Sequence, residues 1–115
     1  MNRYTIIDFE TTGNSPKNGD RIIQIGLAVI EDGVIVDRYA SFVNPEKSLP
    51  LFIQQLTGIT DEDLKDAPLF EEVAPELLKR LDGAYFVAHN VRFDLNFMNA
   101  QLDASGYDPF TYHLS

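Results

Sequence analysis

The stretch Tyr4-Thr5-Ile6-Ile7-Asp8-Phe9-Glu10-Thr11-Thr12-Gly13 decides how the chain is read. It opens as an apolar β-run and runs out in polar residues. Strand side chains alternate between faces, so Asp8 and Glu10 point the same way. Like charges that close repel unless a cation lies between them. The pair is therefore a candidate for half of a divalent-metal site, and hard oxygen ligands of this kind suit Mg²⁺ or Mn²⁺. Thr11-Thr12-Gly13 is expected to turn the chain sharply. With no side chain on Gly13, the backbone N–H groups of this turn can approach a ligand closely. A lone Asp-x-Glu at a strand end is more often a solvated edge, so the reading needs a second acidic motif elsewhere.

That motif is His89-Asn90-Val91-Arg92-Phe93-Asp94. Together the two motifs resemble the first and second motifs of the DnaQ-like (DEDD) 3′–5′ exonuclease family. The resemblance runs from about Tyr4 to about Gly106. Within the family the chain looks most like the exonuclease domains of proofreading subunits and those at the N-terminus of DinG-type helicases. The resemblance implies an α/β, ribonuclease H-like fold: an antiparallel three-strand meander, a further strand parallel to the first, and flanking helices. It also implies that the chain is the N-terminal portion of a single domain spanning residues 1–115, with the last strand and helices of the fold missing.

The chemistry implied is phosphodiester hydrolysis at a nucleic-acid 3′ end, releasing nucleoside 5′-monophosphates in replication or repair. Two metals roughly 3.5–4 Å apart neutralise the phosphate and activate water in such sites. By resemblance Asp8 bridges both ions, Glu10 holds the ion carrying the nucleophile, and Asp94 holds the second. Thr11, Thr12, Ile59, His89, Asn90, Phe93 and Phe97 are candidate substrate-side residues. By the same resemblance Ile59, in Gly58-Ile59-Thr60, would wall the terminal nucleotide. The implied partners are a single-stranded DNA or RNA 3′ end and a helicase or polymerase in the same chain or complex. The family also needs a general base and a fourth carboxylate from a third motif. The sequence ends at Ser115, so these are expected beyond it; His113 sits too early, and His89 is a weak alternative base. Two other readings stay open: a non-catalytic exonuclease-like module that binds a helicase or polymerase, and an RNA-specific exonuclease.

Composition narrows the classes. The 115 residues are 44% hydrophobic, enough for one domain with a real core. Eighteen acids against nine bases give a net charge of −9, unlike a protein that coats nucleic acid electrostatically. Any nucleic-acid contact should be local and metal-mediated. The absence of cysteine excludes disulfides and thiol chemistry. No apolar run nears the length of a membrane span, so a cytoplasmic protein without membrane contact is expected.

The remaining chain reads in order. Asn14 to Asp20 is a polar loop, Ile22 to Ile30 a central strand, Glu31-Asp32-Gly33 a hairpin turn, and Val34 to Val43 the returning strand. Leu51 to Leu56 is a short helix, and Thr60 with Asp63 has capping-box spacing. Phe70, Val73, Ala74, Leu77, Leu78 and Leu81 form one helical core stripe, with Pro75 awkward inside it. Ala84 to Ala88 is a short buried strand. Asn90 is an N-cap for a helix whose core stripe is Val91, Leu95, Met98 and Leu102. Asp94 lies at the edge of that stripe in the first turn, where the helix dipole favours a negative charge. Phe93 and Phe97 share another face and suit either a base-stacking wall or packing beneath a further element.

Overall fold

The computed structural model describes residues 2–110, so His113 lies outside the described residues. Strand β1 (Arg3–Thr11) pairs antiparallel with β2 (Ile22–Glu31), which pairs antiparallel with β3 (Val34–Phe42). Strand β4 (Tyr85–Val87) pairs parallel with β1, giving the sheet order β3-β2-β1-β4. The meander plus a parallel fourth strand is the expected architecture. Asp32 and Gly33 both have positive φ, 50° and 83°, as a type I′ turn needs to bring Glu31 opposite Val34.

The helices are α1 (Leu51–Thr57), α2 (Asp61–Leu64), α3 (Phe70–Leu81) and α4 (Val91–Ala104). Ile7 and Phe9 of β1, Ile25, Leu27 and Val29 of β2, and the buried faces of α3 and α4 make the main core. A second, smaller core of Ile23, Leu49, Ile53, Ile59 and Leu64 lies under α1 and α2. The opposite face of β1 carries Tyr4, Ile6 and Asp8, all exposed.

The chain bends at residues 12–14 as β1 ends; Thr12 N–H still donates to the Arg21 carbonyl at 2.8 Å, and a 3₁₀ turn follows at Pro16–Asn18. One expectation needs correction. The buried side of α4 is Asp94, Phe97, Met98, Gln101 and Leu102. It is rotated from the expected stripe, because Val91 and Leu95 only flank the core. Pro75 lies inside α3. Its missing N–H leaves the Glu71 carbonyl without its helical donor, and the Tyr107 hydroxyl reaches that carbonyl at 3.5 Å.

The capping box at α2 is present: Asp63 N–H donates to Thr60 Oγ1 at 3.3 Å and Thr60 N–H to the Asp63 carboxylate at 3.0 Å. Thr60→Ala should therefore cost about 1 kcal/mol. The shift of the urea midpoint at unchanged slope measures it, and an unshifted midpoint would mean that the cap carries no stability.

Candidate active site

Asp8 and Glu10 stand at the end of β1 where β4 no longer accompanies it. Strand β4 pairs only with Tyr4, Thr5 and Ile6. The Phe9 backbone, beyond that pairing, lies near enough to the Asp94 carboxylate of α4 to favour its charged form. Asp94 is buried, Glu10 half-buried and Asp8 exposed.

Electrostatics tie the three together. Burial pushes the Glu10 carboxyl above the usual carboxylate range, and the Asp8 charge pushes it further. Burial also raises Asp94, again reinforced by Asp8, while the Phe9 N–H, the nearby His89 charge and the Asp94 N–H oppose the rise. Asp8 is the charge that destabilises both partners. The donors are hard, anionic oxygens, which fit an oxygen-loving divalent cation. Among the described residues, no three His, Asp or Glu side chains converge into a preformed cation cage. Repulsion between uncompensated carboxylates is the physical reason to expect them apart.

A cleft of about 530 Å³ opens beside Glu10, lined among others by Thr11, Phe52, Leu56 and Phe93. Of the three carboxylates only Glu10 faces it. Phe52 and Leu56 stand 62% and 78% exposed on α1, so the cleft has an apolar, open margin of the kind that takes a flat ring.

The RNase_T family model, described as Exonuclease, matches residues 5–111. The chain belongs to this exonuclease family. The exonuclease domain is 53% identical over 105 residues to the 3′-5′ exonuclease DinG of Bacillus subtilis, covering 91% of this chain and 11% of that protein. It is 45% identical over 103 residues to a PolC-type DNA polymerase III of Caldanaerobacter subterraneus, covering 90% of this chain and 7% of that protein. The solved nuclease domain of 3′hExo, a DEDDh family member bound to rAMP, superposes with a TM-score of 0.78 at 25% identity, over 96% of this chain and 63% of that one. The chain spans about a tenth of the length of these curated relatives. The fold is the ribonuclease H-like one of DEDDh exonucleases.

Within the exonuclease domain the other expected residues separate. Thr11 lines the cleft, and its hydroxyl donates to the Gly13 carbonyl at 2.7 Å. Thr12 is 1% exposed, and its hydroxyl is engaged by Asp20 and the Arg21 N–H, each at 3.0 Å. Asn90 caps α4 through the Phe93 N–H at 3.4 Å. His89 is exposed and acts on Asp94 only through its charge. Ile59 and Phe97 do not reach the cleft. Ile59 is 5% exposed in the smaller core and Phe97 1% exposed in the main one, so packing accounts for both.

One residue was read with another role and one escaped the sequence reading. A Cβ on Gly13, read as leaving room for a ligand, would lie 2.5 Å from the Asp20 carboxylate. Gln101 is buried on the same face of α4 as Asp94. A polar residue seven positions beyond Asp94, hence on one helical face, was the available signal.

Proposed function

We propose that this exonuclease domain hydrolyses phosphodiester bonds from the 3′ end of single-stranded DNA, one nucleoside 5′-monophosphate at a time. It would do so as part of a longer cytoplasmic protein with a helicase or polymerase function in DNA replication or repair. The observation that carries the reading is that the Asp8 charge raises the carboxyls of both Glu10 and Asp94, with Glu10 facing a cleft. A divalent cation among such carboxylates relieves that repulsion. Likeness to a 3′-5′ exonuclease and to a DNA polymerase supports the polarity and the DNA substrate.

Asp8, Glu10 and Asp94 are the residues that would hold Mg²⁺ or Mn²⁺. Such ions, when bound, neutralise the phosphate and lower the pKa of water. The protein's own share is positioning. The Phe9 backbone and the first turn of α4 favour the charged Asp94 carboxylate. Thr11 and Phe93 border the space beside Glu10, where the Phe93 ring would stack against the terminal base. Asn90 keeps the start of α4, and so Phe93, in place.

The test uses the full-length protein with Mn²⁺ on matched oligonucleotides carrying the label at the 3′ or the 5′ end. The 3′ label should appear at once as mononucleotide, while the 5′-labelled strand shortens by single steps. EDTA should stop both. Immediate release of the 5′ label, or cleavage that survives EDTA, would overturn the reading. A ribose version of the same oligonucleotide, cut faster, would transfer the proposal to RNA.

A further inference from the structure

The ladder between β1 and β2 breaks once. Glu10 pairs with Gln24 and Thr11 with Ile22, so Ile23 is passed over. Such a bulge bends the strand and frees a backbone group from the ladder. It also sends two neighbours inward together, Ile22 into the main core and Ile23 into the smaller one. The Ile22 N–H is taken by a side chain from another element: Gln101 Oε1 accepts it at 2.5 Å. Gln101 is 6% exposed, unusual for a residue type found mostly at surfaces.

Asp94 and Gln101 lie two turns apart on the buried face of α4. Gln101 accepts from Ile22, the partner of Thr11, so the helix is tied to the sheet at the bulge. Asp94 lies near enough to Phe9, between Asp8 and Glu10, for that backbone to favour its charge. A helix is stiff over two turns, so a fixed point about 10 Å along its axis limits where Asp94 can stand. The tie meets the neighbour of β1 within a residue or two of Glu10.

We propose that Gln101 is a positioning residue: by holding the bulged Ile22 amide it sets where Asp94 stands relative to Asp8 and Glu10, and so sets cation affinity. The inference rests on the carboxylate-site reading above. It assigns a metal-related role to a residue that touches neither metal nor substrate.

The experiment measures Mn²⁺ affinity of the full-length protein by the EPR signal of free Mn²⁺, with the melting temperature in EDTA alongside. Gln101→Leu removes the acceptor, Gln101→Glu keeps an acceptor oxygen at the same reach, and Leu102→Ala weakens the neighbouring core without touching Gln101 or Asp94. Gln101→Leu should weaken Mn²⁺ binding by roughly 10–100-fold, as loss of an outer-sphere support does. Gln101→Glu should restore most of it, and Leu102→Ala should leave affinity near wild type despite a lower melting temperature. If Gln101→Leu does not fold, Gln101→Asn, whose amide falls one carbon short of Ile22, carries the same expectation. Wild-type affinity in the Gln101 variants, or an equal loss in Leu102→Ala, overturns the proposal. Asp8→Asn is measured in parallel. Binding that depends on Asp8 but ignores Gln101 sinks the positioning role and leaves the carboxylate site standing. A wild-type protein that takes up no Mn²⁺ overturns both.

Discussion

Asp8→Asn is expected to abolish 3′-end cleavage and, in EDTA, to make the protein slightly more stable. The two effects have one origin. The Asp8 charge pushes up both the Glu10 and the Asp94 carboxyls, so in the metal-free protein it is a net repulsion. Asparagine keeps the shape and removes the charge. Asp8 is exposed, and solvent screening limits the gain to about 1 kcal/mol or less. For catalysis the same charge is what the proposed cation site would need from Asp8. Losing it should remove several kcal/mol of transition-state stabilisation, a fall in rate of about 10³-fold or more. Melting in EDTA and single-turnover cleavage with Mn²⁺ measure the two sides. A variant that melts lower than wild type in EDTA yet cleaves at the normal rate would remove Asp8 from the site.

The pH dependence has a definite sign. Glu10 and Asp94 have folded pKa values above their unfolded ones, so the folded state binds more protons across that window. Their contribution to stability is complete below the ordinary carboxylate range near about 4. It is lost as pH rises through the raised folded values. Metal-free wild type should thus lose part of its stability over that rise, and Asp8→Asn should lose less. Protons and a divalent cation compete for these oxygens, so the stabilisation by Mn²⁺ should grow across the same pH window.

What was legible in the sequence followed from short-range rules. Alternation in β1 put Asp8 and Glu10 on one face. Asp32-Gly33 gave the hairpin through its φ requirement. Asn90 and Thr60 announced helix starts by their capping chemistry. The parallel pairing of β4 with β1 followed from family resemblance, since no spacing rule reports which strands neighbour across a helix. What stayed hidden depended on tertiary partners. Gly13 looked like a turn residue, but only the folded loop brings Asp20 against it. Pro75 looked awkward within the α3 stripe, and only the fold supplies the Tyr107 hydroxyl for the orphaned carbonyl. The α4 stripe was misjudged because polar Asp94 and Gln101 belong to it. Gln101 is admitted by the Ile22 N–H at the bulge, and Asp94 by the neighbouring Phe9 backbone, which favours its charge.

Phe93 and Phe97 show the same limit, and they carry the second large effect expected. The rings lie 4.9 Å apart at 48°, one turn apart on α4, and periodicity alone treats them alike. Burial separates them. Phe97 is 1% exposed within the main core, whereas Phe93 only borders that core and also lines the cleft beside Glu10. Phe97→Ala should therefore cost about 3–5 kcal/mol of stability, the price of a large cavity in close-packed surroundings. Assayed well below its melting temperature, that variant should keep a KM close to wild type. Phe93→Ala should do the reverse: stability within about 1 kcal/mol of wild type, and a KM for single-stranded oligonucleotide raised roughly tenfold by the loss of one stacking platform. Denaturant melts and steady-state kinetics on the two variants decide the matter. A KM effect at Phe97 without a stability loss would mean that the helix turns this face to the substrate, and the rotation of α4 that gives Gln101 its partner would then be wrong as well.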